Sequence, residues 1–92
     1  MYKLLLSPQY QKSFNRMLRH KDFKREKLEA LVNLLEAGEE LDIRYKDHEL
    51  KGKYSGIREC HIQNDILLLY RKEKGILVLV MVDIGTHSYL FE

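Results

Sequence analysis

Three of the four histidines, His48, His61 and His87, stand in the second half of the chain among polar and charged neighbours rather than in apolar runs. They occupy Tyr45-Lys46-Asp47-His48-Glu49-Leu50-Lys51-Gly52, Arg58-Glu59-Cys60-His61 and Gly85-Thr86-His87-Ser88. A free imidazole titrates near pH ~6.5, so one such ring can accept a proton while another donates one close to neutrality. These residue types suit metal-free cleavage of RNA. A base takes the proton of a ribose 2′-OH, cations hold the phosphate as negative charge builds, and an acid protonates the departing 5′-oxygen. Lys46, Lys51, Lys53, Arg58 and Arg71 are the candidate cations. Asp65, beside the end of the segment that carries His61, can hold a proton, orient an imidazole or accept the 2′-OH hydrogen. Phe91, or Tyr89, offers an aromatic face on which an unstacked base can lie.

Each of these residues also has a plainer role. A single surface histidine is more often a hydrogen-bonded structural group, Asp65 suits a hairpin turn, and Phe91 can close the end of a core. His20 is assigned to solvent. No two histidines have the i, i+4 spacing or the CxxC companion of a zinc site, so neither a metal nor a cofactor is expected. Cys60 alternates inward and reads as a small core residue.

The elements that must position these groups follow from periodicity. Tyr2 to Leu6 reads as a short strand; Ser7-Pro8 then supplies a capping hydroxyl and a proline at the first helical position. Tyr10, Phe14, Met17 and Leu18 mark the apolar face of a first helix. Asp22 is placed to cap a second, with Leu28, Leu31, Val32 and Leu35 inward and Gly38 ending it. Residues 39–56 lose the period and read as a long ordered loop, which in a small domain is often functional. Strands are expected at 57–62, 66–72 and 76–83, joined by short turns. Gly85-Thr86-His87 reads as another turn, and Ser88 to Glu92 as a short strand or one helical turn. The predicted order is β-α-α-β-β-β: an α+β domain with a helix hairpin on one face of a twisted, mainly antiparallel sheet. Alternation places Cys60 and Ile62 on one side of their strand and Glu59 and His61 on the other, open side.

Ninety-two residues with 45% hydrophobic side chains allow one domain, residues 1–92, and no second core. A net charge of +2 excludes a polybasic protein, so nucleic-acid binding must come from how charges are placed. One cysteine cannot form an internal disulfide, which fits a reducing cytoplasm. The apolar runs are too short for an export signal or a membrane span, so a soluble protein is expected.

The segments around His48 and His61, Asp65 leading into Leu67-Leu68-Leu69-Tyr70, and Gly85-Thr86-His87-Ser88-Tyr89-Leu90-Phe91 together resemble the YafQ branch of the RelE/YafQ toxin superfamily. The likeness covers most of positions 45–91; the first half matches only in its strand-helix-helix pattern. It implies a microbial-RNase-like (RelE-like) fold, a type II toxin that cleaves messenger RNA in the ribosomal A site against 16S rRNA, and inhibition by a cognate antitoxin. The toxin alone is expected to be a monomer. Residue by residue, the resemblance places His48, His61, Asp65 and His87 in the acid-base group and Phe91 near the substrate base, with a 2′,3′-cyclic phosphate as product. His48 is favoured as base and His87 as acid. Two positions depart from the family pattern: Ile66 stands where an aromatic residue is common, and Asp83 where an arginine is. The rival readings are a ParE-like gyrase inhibitor, which would lack the histidine set, and a catalytically weakened RNA-binding relative, which Asp83 suggests.

Overall fold

Ser7 and Pro8 start the first helix as their types require. In the computed structural model, which describes residues 1–91, strand β1 (Lys3–Leu6) runs into helix α1 (Pro8–Met17) through Ser7. The Ser7 hydroxyl accepts the Tyr10 N–H at 3.0 Å and donates to the Val82 carbonyl at 2.8 Å, so the helix cap is also a tie to the last strand. Tyr10, Ser13 and Met17 form the buried stripe. Leu18, expected inward, lies just past the helix and is 47% exposed. Ser13 takes the inward place, its hydroxyl hydrogen-bonded to the Tyr89 hydroxyl at 3.0 Å.

Helix α2 (Arg25–Glu36) buries Leu28, Leu31 and Leu35, with Val32 half-buried, and is followed by Gly38 at φ +77°, a left-handed turn that favours glycine. The expected Asp22 cap is not used, because the helix begins three residues later. Instead the Gln63 side chain, from the sheet, accepts the Lys24 N–H at 2.7 Å and donates to the Asp22 carbonyl at 2.6 Å. A long-range amide takes the place of a local cap.

The stretch expected to be a loop contains two 3-10 turns, Ile43–Tyr45 and Gly52–Tyr54, and a two-residue strand β2 (His48–Glu49). His48 is therefore on a sheet edge. Strands β3 (Arg58–Gln63), β4 (Ile66–Glu73) and β5 (Val78–Thr86) follow, then helix α3 (His87–Phe91). No turn forms at Gly85-Thr86-His87: β5 pairs with β4 as far as Thr86, opposite Ile66, and His87 opens α3. Ser88 to Phe91 are helical; Glu92 lies outside the described residues.

The sheet order is β1-β5-β4-β3-β2, with β1 parallel to β5 and every other pair antiparallel. The α1–α2 hairpin carries the chain from β1 at one edge across the sheet to β2 at the other, and β3 and β4 lead back until β5 lies parallel beside β1. The hairpin's apolar faces cover Cys60, Ile62, Ile66, Leu68, Tyr70, Leu79, Met81 and Ile84. Cys60 is fully buried, and that burial pushes its thiol pKa well up, leaving it inert. Tyr10 is likewise pushed up to about 12, by burial. Pairing shifts between Leu69 and Tyr70, which face Asp83 and Met81, so Val82 is the extra residue of a bulge whose carbonyl meets Ser7.

Candidate active site

Alternation and register build the first half of the site. His48 on β2 is the direct cross-strand partner of Glu59 on β3, and His61 lies two residues further along β3, on the same face. One Glu59 carboxylate oxygen, Oε1, therefore stands 3.6 Å from His48 Nε2 and 3.8 Å from His61 Nε2. The Glu59 side chain is only 9% exposed, against 52% for His48 and 30% for His61. The carboxylate is held beneath two imidazoles that meet solvent. His48 Nδ1 lies 2.7 Å from the Lys46 carbonyl oxygen. A carbonyl can only accept, so Nδ1 carries the hydrogen, and Nε2, turned toward Glu59, is the nitrogen free to exchange a proton. Lys46 presents that carbonyl from a left-handed conformation, φ 50°, which is strained for a side-chain-bearing residue.

Glu59 was assigned no role from sequence. The signal was there in Glu59-Cys60-His61, which puts Glu59 and His61 on one face once Cys60 is inward. What sequence lacked was the β2–β3 register that brings His48 opposite.

The second half forms where β5 becomes α3. Asp65 Oδ1 accepts the backbone N–H of His87 at 3.4 Å, so the carboxylate expected to join the acid-base group fixes where α3 begins. The His87 ring lies 5.1 Å from the Phe91 ring, one helical turn on, and Tyr54 meets Phe91 edge-on at 5.4 Å. Lys53 Nζ sits 5.3 Å above Tyr54. The 3-10 turn thus carries Lys53, one of the expected cations, and Tyr54, a ring that sequence did not single out, to the side of His87 and Phe91. Tyr89, the alternative base platform, is otherwise engaged: its hydroxyl bonds Ser13 and its ring lies 4.0 Å from the Arg16 guanidinium.

The two halves flank buried leucines. His61 pairs with Leu67 and Leu67 with Gly85, while Glu59 pairs with Leu69 and Leu69 with Asp83. Leu67 and Leu69 are 2% and 4% exposed, so other groups cover them, and β3 and β5 run about 10 Å, or two strand spacings, apart. The structure brings His48 and His61 together through Glu59 and joins Asp65 to the His87 backbone; the ion pairs and hydrogen bond named above link residues within each group, not one group to the other.

The cations divide. Lys46, Lys51 and Lys53 are exposed. Arg71 is half-exposed with its Nε 3.0 Å from Glu73. Arg58 pairs with Tyr70, whose side chain belongs to the helix-covered core, and so lies on the face opposite the histidines. Its Nε and Nη2 donate to both Asp47 carboxylate oxygens at 3.2 Å, and the Tyr70 hydroxyl donates to Asp47 Oδ1 at 2.6 Å. Those hydrogen bonds hold the Arg58 pKa above its ordinary value. Asp83 accepts the Ile84 N–H at 2.8 Å and adds a negative charge to the row that holds Glu59.

Residues 2–92 match the family model described as a bacterial toxin of a type II toxin–antitoxin system, YafQ. The chain belongs to the YafQ family. It is 38% identical over 74 residues to the mRNA interferase toxin YafQ of Escherichia coli K12, covering 79% of this chain and 76% of that one. Among solved structures, a copper-bound mutant toxin from Helicobacter pylori superposes with a TM-score of 0.89 at 37% identity, covering 99% of this chain and all of the other. YafQ from E. coli BL21(DE3) gives 0.87 at 31% identity over the full length of both. The YafQ toxins thus share this RelE-like α+β fold, as the resemblance implied. Among the described residues no helix is long and apolar enough to cross a membrane.

Gly85 has a steric duty in this YafQ-family chain. A Cβ there would lie 2.5 Å from Tyr89 Cδ2, closer than real contacts allow. Gly85→Ala must therefore push Tyr89, and α3 with it, off β5. The expected cost is about 1–3 kcal/mol of stability, with a loss of cleavage because His87 and Phe91 move too. Thermal unfolding and a cleavage assay on the same preparation check it; a variant with unchanged melting temperature and rate would show that α3 does not depend on this contact.

Proposed function

We propose that the protein is an endoribonuclease that cleaves messenger RNA by 2′-OH attack, leaving a 2′,3′-cyclic phosphate, without a metal. The observation that carries this reading is the Glu59 oxygen held between the Nε2 atoms of two solvent-facing histidines, in a fold whose last strand runs into α3 with His87 and Phe91 ring to ring. His48 Nε2 takes the 2′-OH proton, and Glu59 stabilises the imidazolium that results. His61 shares that carboxylate and holds the group's charge near the phosphate. His87 gives a proton to the leaving 5′-oxygen, while Phe91 and Tyr54 hold the flanking base. Lys51 and Lys53 supply positive charge at the phosphate, with Arg71 further along the face; Arg58 serves the fold. The name of the E. coli relative, mRNA interferase toxin, supports the substrate.

By the same likeness the toxin acts on messenger RNA in the ribosomal A site against 16S rRNA, in the cytoplasm, and is a monomer when free. The E. coli relative has been crystallised as a DinJ–YafQ toxin–antitoxin complex, at a TM-score of 0.85 and 28% identity to this chain. That supports a cognate antitoxin here. Primer extension on a translated message should show new 5′ ends inside the reading frame when the protein is added, and the fragments should carry 2′,3′-cyclic phosphate and 5′-hydroxyl ends. A message left intact would discard the nuclease, and 3′-hydroxyl with 5′-phosphate ends, the products of metal-assisted water attack, would discard the 2′-OH chemistry.

Asp83 favours a second reading, a weakened enzyme, because a carboxylate in the Glu59 row repels the phosphate. Single electrostatic contacts to a transition state are commonly worth ~10²-fold or more. Asp83→Arg should therefore raise the cleavage rate by about tenfold or more. An unchanged rate would show that Asp83 lies outside the phosphate's reach.

A further inference from the structure

The cleavage centre opens sideways into a second concavity that the mechanism above does not use. It has a volume of about 450 Å³, within the size range of clefts that hold small ligands. Its wall includes His61, so it is continuous with the site. Lys27 on α2, Arg44 on the 3-10 turn and Lys46 just after it place three cations around it, with Tyr45 between the last two, and among the described residues no carboxylate contributes to its lining. The neighbouring groove around Asp47 is mixed: Glu39, Glu40, Asp42 and Glu49 stand there with Lys46, Arg58, Lys72 and Lys74. An unmixed cationic hollow in a chain of net charge +2 is a placed feature, since overall charge would not produce it.

Its chemistry is that of a nucleotide subsite. The Arg44 guanidinium lies 5.0 Å from the Tyr45 ring centre and donates to the Tyr45 hydroxyl at 3.2 Å, a ledge of two groups on whose faces bases stack. Lys27 and Lys46 are exposed. They have no carboxylate partner among the described ion pairs, so their charge is available to a phosphate. Lys46 also holds His48 through its carbonyl. A strand seated in the hollow therefore touches the residue that fixes the base's tautomer.

We propose that this hollow is a subsite for the single-stranded RNA substrate, taking one nucleotide beside the scissile bond on the His61 side, with its phosphate on Lys27 and Lys46 and its base on the Arg44–Tyr45 ledge. This rests on the nuclease reading. Phe91 and Tyr54 form the aromatic platform of the His87 half, so the strand would run from one aromatic platform to the other.

The test is binding of a fully 2′-O-methylated single-stranded RNA, which cannot be cut, to wild type and to the Lys27→Ala/Arg44→Ala double variant over a range of salt. The subsite predicts binding weaker by about tenfold and a log K against log salt slope shallower by roughly 0.7 for each phosphate that the variant no longer neutralises. Arg44→Lys should restore the salt slope but not the stacking. In cleavage of a translated message the double variant should raise KM, whereas a missing acid lowers kcat. Both side chains are exposed, so the variant should fold, which circular dichroism checks. RNA binding with unchanged strength and slope would overturn the subsite even where the wild type cuts; weakened antitoxin binding with unchanged RNA binding would overturn it by giving the hollow to the antitoxin. A wild type that cuts no message fails the nuclease reading instead, a result the binding arm keeps separate.

Discussion

His87→Ala should lower message cleavage by roughly 10²- to 10⁴-fold, the usual worth of a positioned general acid. The fold should scarcely change, because His87 is exposed and its ring touches one described neighbour, Phe91, at 5.1 Å. Surface changes of this kind stay within about 0.5 kcal/mol. The tie that starts α3 also survives, since Asp65 bonds the backbone N–H of residue 87 and not its side chain. Melting temperature and antitoxin affinity should therefore match wild type while primer-extension products vanish. The pH profile gives an independent reading. With both base and acid present the rate should be bell-shaped, and removing the acid should abolish the fall on the alkaline side. A variant that cuts at the wild-type rate would remove His87 from the chemistry and leave the His48–Glu59–His61 group to be explained some other way.

The second large effect is structural. Asp47→Ala should cost about 2–4 kcal/mol, because it strands the hydroxyl of Tyr70, a fully buried residue, and leaves Arg58 without its two hydrogen bonds. For a domain of this length each kilocalorie shifts the melting temperature by roughly 4–8 °C. Arg58→Ala should cost less, since Tyr70 keeps Asp47 and the carboxylate, partly exposed, can take water in place of the guanidinium. This pair of variants also decides what Arg58 is for. A phosphate-binding arginine would change RNA affinity and its salt slope, whereas a structural one changes thermal stability and leaves the salt slope alone. Equal melting temperatures for wild type and Asp47→Ala would show that the buried network carries no net stability.

The two experiments probe opposite faces of one sheet. Alternation separates them: Arg58, Cys60 and Tyr70 face the helices, while Glu59, His61 and Leu69 face the site. A one-residue slip of β2 against β3 would move His48 away from Glu59 and bring Glu49, another carboxylate, into its place.

Periodicity and cap chemistry, which are local, determined a good deal by themselves. Ser7-Pro8 starts α1, Gly38 follows α2 in a left-handed turn, and the inward set Leu28, Leu31 and Leu35 lies where a 3.6-residue period puts it. The inward Cys60 and outward His61 follow from a period of two. Tertiary structure alone decided what depends on register and distant contacts. Gln63 replaces Asp22 at the start of α2, Glu59 sits between two histidines because β2 pairs where it does, Arg58 turns to Asp47, and His87 begins a helix because Asp65 and Tyr89 hold it there. A side chain's type limits which partners it can take. Which partner it meets is settled by chain segments far away in sequence, whose hydrogen bonds form only once the sheet is assembled.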